Sequence, residues 1–263
     1  MKSLILKSLT YKGNHVNDTL DGAAWVGHIP FAYWIVAALK PNVLVELGTH
    51  GGGSYFSFCD SVLENDLKTQ SFAVDTWKGD PQAGTYGKTI FDKVNHYNNK
   101  KFFKFSRLLR MDFDDALSVF EDSSVDFLHI DGFHSYEAVS HDFYTWKPKL
   151  TENSVVLFHD THEMQKGFGV HRLWAELKHK NPDQCFEFEH SHGLGVYFAK
   201  SKHAAINFRN SFEIDFAKAF RLLSICGEQI YVDMNGFHSK PYKLDPRNNK
   251  WKKILSKFSN RNL

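Results

Sequence analysis

Two short blocks carry the side chains best suited to chemistry, His129-Ile-Asp-Gly-Phe-His-Ser-Tyr136 and Phe158-His-Asp-Thr-His162. Each runs out of an apolar stretch into an acid flanked by histidine, the pattern of a strand whose carboxyl end opens on a cleft. If the two strands are neighbours, Asp131, His134, His159 and Asp160 surround one point. Carboxylate and imidazole donors with open positions suit a divalent ion such as magnesium or manganese, with Asp131, His159 and Asp160 as its ligands. Such an ion acts as a Lewis acid and eases proton loss from a bound hydroxyl. His134 is then the candidate catalytic base, because imidazole titrates near neutral pH. His129 lies inside the apolar run, on the alternate side of the strand, and is read as a core histidine with a satisfied partner. The pair His141-Asp142 falls within a helical stretch and is read as surface.

A second pattern supplies a reactant for that chemistry. Val43-Leu-Val-Glu-Leu-Gly-Thr-His-Gly-Gly-Gly-Ser54 is an apolar run, an acid and a glycine-rich turn that opens a helix. Glycines let backbone approach a ligand, and the first N–H groups of a helix offer hydrogen bonds to polar groups. Glu46, at the strand's carboxyl end, disfavours a pyrophosphate and favours a cationic or hydroxyl-rich ligand. S-adenosylmethionine, with its ammonium, sulfonium and ribose, fits, and Glu46, Gly48, Thr49, Gly52 and Ser54 are its candidate contacts. In a dinucleotide fingerprint the middle glycine would fall at His50, which argues against a nicotinamide-dependent oxidoreductase. A P-loop needs Lys and Ser/Thr where Ser54 and Tyr55 stand.

Further along, Asp75 ends an apolar strand, where a carboxylate can accept hydrogen bonds from both ribose hydroxyls. Trp77 could stack on adenine or cover the sulfonium, whose charge an aromatic face attracts, or it could pack in the core. Asp112 is a candidate for the adenine amino group; Asp114 and Asp115 compete with it, and one of the three caps a helix.

These residues need a scaffold, and the chain provides it by alternation. Apolar periodicity predicts a helix from Pro30 to Lys40, ended by Pro41, and then strand Val43–Leu47 and a helix over 53–64. Strand 72–75, helix 88–97, a strand near 103–107, helix 114–120 and strand 125–130 follow. Helix 136–147, strand 155–158 and helix 170–180 complete the alternation, which predicts an α/β, doubly wound, Rossmann-like sheet, mainly parallel. Strands 185–189 and 195–199 are joined only through His190 to Leu194, so they form an antiparallel edge hairpin. A helix near 212–225 comes after them. The insertion from Trp77 to Tyr86, with Gly79, Pro81 and Gly84, is long for a strand-to-helix link and reads as a lid.

Composition sets outer bounds. A chain of 263 residues, 42% hydrophobic and 15% aromatic, buries one sizeable core with appendages. The expected divisions are a helical lead-in over 1–40, a cofactor-binding domain over 41–200 and a helical appendage with a basic tail over 201–263. A net charge of +2 gives no global field for nucleic acid. Lys240, Lys243, Arg247, Lys250, Lys252, Lys253, Lys257 and Arg261 face only Asp245, so the tail reads as a solvated end or a docking site for an anionic partner. Three scattered cysteines, Cys59, Cys185 and Cys226, fit a reducing cytosol. No run reaches membrane-spanning length, and the opening residues are too short for a signal-peptide core.

Taken together, Glu46-Leu-Gly-Thr with Gly52 and Ser54, Val74-Asp-Thr-Trp-Lys-Gly-Asp80, Leu128-His-Ile-Asp-Gly-Phe-His-Ser-Tyr136, Leu157-Phe-His-Asp-Thr161 and Gly167-Phe-Gly-Val170 resemble one branch of the class I S-adenosylmethionine-dependent methyltransferases. That branch is often encoded with, or fused to, glycosyltransferases, and is similar to the metal-dependent sugar O-methyltransferases of macrolide tailoring. The resemblance runs from roughly residue 25 to 200. It implies a seven-stranded methyltransferase sheet, Asp131 and Asp160 as metal ligands, His159 in the place of a second carboxylate, His134 as the base, and a small-molecule or saccharide acceptor. The competing expectation is a non-catalytic module that keeps the cofactor fold within a polysaccharide assembly complex.

Overall fold

The computed structural model describes residues 2–11, 13, 25–80, 84–85, 88–210 and 216–235. Its centre is a seven-stranded sheet. The strands, in chain order, are β1 (Val43–Leu47), β2 (Gln70–Val74), β3 (Ser106–Leu109), β4 (Val125–Ile130), β5 (Leu150–His159), β6 (Cys185–Phe188) and β7 (Leu194–Phe198). They lie in the order β3-β2-β1-β4-β5-β7-β6. The first five are parallel, and β7 runs antiparallel to both β5 and β6, which forms the expected edge hairpin. Strand order reverses between β1 and β4, and the crevice outside the carboxyl ends at such a switch point is where ligands bind in open α/β sheets. Glu46, Gly48, Asp131, His159 and Asp160 all stand at that crevice.

Alternation along the strands divides the core into two layers. Leu44, Phe127, Val155 and Leu157 face α2 (Ile29–Leu39) and α3 (Gly53–Glu64), with Tyr33, Trp34 and Phe58 between them. Val45, Leu47, Leu128, Val156 and Phe158 face α6 (Tyr136–Trp146) and α7 (Val170–Lys180), with Phe143, Trp146 and Trp174. Each of these large side chains contributes about 1.5–3 kcal/mol by leaving water. The other helices are α1 (Lys2–Thr10), α4 (Lys88–Lys101), the short α5 (Phe113–Ala116), α8 (Lys202–Asn210) and α9 (Phe216–Asn235). No helix among the described residues is long and apolar enough to cross a membrane.

Several details differ from the sequence reading. The strand expected near 103–107 starts at Ser106, because Phe102 packs on Phe56 and Tyr97 as part of the α4 face and the chain turns before it can pair. Helix 114–120 is a short α-turn that tightens into a 3-10 turn at Leu117–Val119. The C-terminal helix, α9, reaches Asn235, while residues 211–215 and the basic tail lie outside the described residues. Of the segment read as a lid, Gly79–Asp80 pairs antiparallel with Gly84–Thr85, and 81–83 and 86–87 lie outside the described residues.

The region past β7 returns to the site. Helix α9 stacks Phe220 on Phe188 with ring centroids 3.9 Å apart. Its Gly227 meets the 3-10 turn Val26–His28 so closely that a Cβ there would stand 1.8 Å from the Gly27 carbonyl oxygen. The same carbonyl bonds His190 Nε2 at 3.0 Å. These contacts seat Trp25 and His28 against the crevice.

Candidate active site

The glycine turn after β1 is fixed from two sides. Gly48 has φ +87°, and a Cβ on it would lie 2.1 Å from the Asp131 carbonyl oxygen, so this glycine lets β1 and the end of β4 close together. Gly52, at φ +89°, is the N-cap of α3, where a side chain would strike the Phe56 ring. Asp75 binds the turn from behind. Its Oδ2 accepts the backbone N–H groups of Thr49 and His50 at 3.0 and 2.9 Å, and its Oδ1 accepts that of Trp77 at 2.6 Å. Three backbone donors therefore already engage the carboxylate read as a ribose acceptor. Trp77 is a core residue, packed on Phe91 at 5.0 Å, with its indole N–H donated to the His50 carbonyl. It has no face left for a cofactor.

Glu46 and His129 are adjacent across β1 and β4 and wholly buried. Glu46 Oε2 lies 2.8 Å from His129 Nδ1, and the Trp25 indole N–H donates to His129 Nε2 at 3.3 Å. An indole nitrogen can only donate, so Nε2 carries the lone pair, Nδ1 carries the hydrogen and the histidine donates to the carboxylate. Burial raises the Glu46 pKa, and His129 opposes that rise. Two atoms at this turn, Glu46 Oε1 and Thr49 Oγ1, are buried and make no hydrogen bond among the described residues, while Ser54 stands close enough to the Glu46 carboxyl to join His129 in opposing the rise of its pKa. Such atoms await a ligand donor. A ligand bearing ammonium and hydroxyl groups fits them.

The acid and histidine blocks converge as expected. His134 Nε2 stands 3.2 Å from Asp131 Oδ1 and 3.0 Å from Asp160 Oδ2. Burial lowers the His134 pKa, but the two carboxylates outweigh it and raise it above the ordinary value. Phe168 stacks on the ring at 5.0 Å, and Gly169 donates its N–H to the His134 carbonyl at 2.7 Å. The left-handed Asp160, φ +61°, turns its carboxylate back towards His134.

His159 departs from its expected place as a metal ligand. Its Nδ1 lies 3.2 Å from Asp131 Oδ1 and its Nε2 3.2 Å from the Ser191 carbonyl, an acceptor only. Both nitrogens therefore carry hydrogen. Despite burial, Asp131 and Asp160 push its pKa up to about 9. Burial disfavours the charged form of Asp131 as well, yet His159 and His134 hold its carboxyl well below the usual range. The donor atoms that do gather are on Asp131, His134 and Asp160, all within 4.8 Å of one another. Two carboxylates and an imidazole suit a divalent ion.

Other expected residues lie elsewhere. Asp112 is the exposed N-cap of α5 and makes no side-chain cap bond. Ser54 is buried in the first turn of α3. His141 is exposed and bonds Asp114 at 2.9 Å, as a surface residue should, but its neighbour Asp142 is buried, because α6 turns it towards Gly132 and Phe113. Trp25, His28, Phe168 and Ser191 belong to the site and were not singled out from the sequence; only Phe168 sits in a motif that pointed here.

Residues 45–161 match a family model described as a methyltransferase domain. Protein y4gI of Sinorhizobium fredii is 52% identical over 176 residues, 67% of this chain, and the chain spans 19% of that relative's length. The fold is shared with the S-adenosylhomocysteine-bound methyltransferase PaMTH1 of Podospora anserina, at a TM-score of 0.53 and 11% identity over 75% of this chain and 88% of that one. It is also shared with the O-methyltransferase TomG of Streptomyces achromogenes, solved with S-adenosylmethionine, at 0.50 and 13% over 75% and 90%. A methyltransferase from Geobacter sulfurreducens gives 0.50 and 10% over 75% and 89%.

Proposed function

We propose that this protein transfers the methyl group of S-adenosylmethionine to a hydroxyl of a sugar or glycoconjugate. One observation carries the reading: His134 stands between Asp131 and Asp160 at the crevice, beside a glycine turn whose buried Glu46 and Thr49 each keep an acceptor atom without a hydrogen bond among the described residues. The match of residues 45–161 to a methyltransferase domain supports it. The resemblance to sugar O-methyltransferases supports the acceptor class.

In this reading Glu46, Gly48, Thr49, Gly52, Ser54 and Asp75 form the cofactor end. Glu46 offers Oε1 to the cationic part of the cofactor, and Asp75 holds the turn in shape. The acceptor hydroxyl approaches His134, which takes its proton as oxygen attacks the sulfonium methyl in line and the thioether leaves. Asp131 and Asp160 stabilise the imidazolium that results. Holding the oxygen near the methyl carbon supplies most of the acceleration. His159, charged and tied to Asp131 and Ser191, orients the carboxylate. A magnesium or manganese ion held by Asp131 and Asp160 would supply Lewis acidity to the acceptor oxygen and leave His134 to take the proton.

The test is transfer of labelled methyl from S-adenosylmethionine to a glycan extract by the wild-type chain and by His134→Ala. Transfer by the wild type, with loss in the variant and retained binding of S-adenosylhomocysteine, supports the assignment. Label-free glycans from wild-type protein that binds the cofactor would refute it.

A further inference from the structure

We propose that His192 is a second imidazole facing the acceptor: Glu163 fixes its ring, and its Nε2 accepts a hydrogen bond from an acceptor hydroxyl other than the one methylated. The inference rests on the methyl-transfer reading above. His192 stands at the tip of the hairpin between β6 and β7, and Glu163 follows β5 in the loop that carries Asp160. Glu163 Oε2 lies 2.8 Å from His192 Nδ1, and its Oε1 accepts the Gln165 N–H at 3.0 Å. A carboxylate only accepts, so Nδ1 carries the hydrogen and, in the neutral ring, Nε2 has the lone pair. Among the described residues no hydrogen bond or ion pair reaches Nε2. The His192 side chain is 37% exposed and that of Glu163 only 13%. One edge of the ring is therefore anchored, and the other is open to a ligand arriving from solvent.

Its position indicates which ligand that is. His192 Nδ1 stands 3.9 Å from Asp160 Oδ1, and the other oxygen of the same carboxylate is 3.0 Å from His134 Nε2. In the sheet order the glycine turn follows β1, Asp131 and Asp160 follow β4 and β5, and the hairpin tip lies beyond them at β7. The cofactor turn and His192 thus flank the reacting centre from opposite sides. A molecule that meets His134 across from the cofactor comes to His192. The tip also keeps an uncommon backbone: Ser191 and His192 have φ of +51° and +66°, followed by Gly193 at +88°. Such conformations persist where neighbours enforce them, and they gather at binding sites. Here the His192 carbonyl accepts the His162 N–H at 2.8 Å, and the Ser191 carbonyl lies 3.2 Å from both His28 Nε2 and His159 Nε2. The imidazole is set in place before an acceptor arrives, which lowers the ordering cost of binding.

Asparagine and glutamine separate the two edges of the ring. The amide nitrogen of His192→Asn stands where Nδ1 was, and asparagine tolerates a left-handed backbone. The amide oxygen of His192→Gln reaches the place of Nε2 but leaves Glu163 without its donor. The experiment measures transfer of labelled methyl from S-adenosylmethionine against the amount of glycan extract supplied to the full chain. His192→Asn is expected to raise the amount needed for half-maximal rate by about three- to tenfold, the size of one lost hydrogen bond, with maximal rate and S-adenosylhomocysteine binding unchanged. His192→Gln is expected to stay within about twofold of the wild type. Wild-type saturation in His192→Asn, or a defect in His192→Gln alone, shows that the ring only ties hairpin to loop and overturns the proposal. So does a fall in maximal rate at unchanged half-saturation; in each case the methyl-transfer reading stands. A wild-type chain that binds S-adenosylhomocysteine and methylates no glycan overturns both. A second measurement needs no variant: the wild type is acylated with diethyl pyrocarbonate in the presence of S-adenosylhomocysteine, with and without the extract. The extract is expected to protect His192 and not the exposed His141, and equal labelling of His192 in the two samples overturns the proposal.

Discussion

Glu46 and His129 face each other across neighbouring parallel strands at 2.8 Å, both without solvent contact, and the Trp25 indole sets the hydrogen of the imidazole on the carboxylate side. Removing the histidine strands a buried acid. His129→Leu is expected to cost about 3 kcal/mol in denaturant unfolding, while Glu46→Gln combined with His129→Leu costs less than the sum of the single changes. Additive losses would show that the two side chains do not act as a pair.

Trp25→Phe keeps an aromatic ring and removes the only donor to His129 Nε2 among the described residues. Nitrogen NMR of the wild type should place the hydrogen on Nδ1, and the variant should keep it there, because Glu46 still accepts it, with only the Nε2 resonance shifted by loss of the indole donor. A wild-type spectrum with the hydrogen on Nε2 contradicts the hydrogen-bond assignment.

Gly48→Ala puts a methyl group 2.1 Å from the Asp131 carbonyl oxygen in a backbone region that L-residues rarely adopt. The end of β4 must move, and Asp131 with it. Methyl transfer should fall at least about a hundredfold, since displacements on the scale of 1 Å already cost that much, and the melting temperature should drop. Wild-type transfer would show that this approach of β1 to β4 is not needed.

Two buried groups make stability fall as pH rises, in successive windows that overlap near pH 7. Asp142 has a folded pKa of about 7 against 3.8 unfolded, so the folded chain binds the extra proton and stability declines between those values. For His159, raised from 6.5 to about 9, the contribution is complete below pH 6.5 and disappears as pH climbs through about 9. Melting curves of Asp142→Asn should lose the first slope, and those of His159→Asn the second. Unchanged slopes in either variant would contradict the assignment. In kinetics, the raised His134 pKa places the rising limb of the pH–rate profile above 6.5.

Much of this was legible in the sequence because the strands are short, apolar and separated by amphipathic helices, so that alternation gave the sheet and its edge hairpin. The pairing of Asp131 with Asp160 followed from two acids at ends of adjacent strands. What periodicity does not encode is contact between distant segments. Trp25 reaches His129 only because α9 and His190 press the 3-10 turn against the crevice. His159 changed role for a local reason: the Ser191 carbonyl, brought in by the edge hairpin, takes the nitrogen a cation would have needed. Asp142 looked like surface beside His141, since adjacent helical positions differ by about 100° in direction and one apolar notch, at Gly132, decides which of them is inside.

The close approach of Gly227 to Gly27 has a consequence for how the molecule is assembled during synthesis. The sheet is complete once β7 has emerged, yet the turn that carries Trp25 and His28 receives the rest of its backing when the last described helix has been made. A premature stop between β7 and that helix would leave a chain with a finished sheet whose amino-terminal turn is held by His190, Ser191 and Phe58 alone, and Trp25 would cap His129 less firmly.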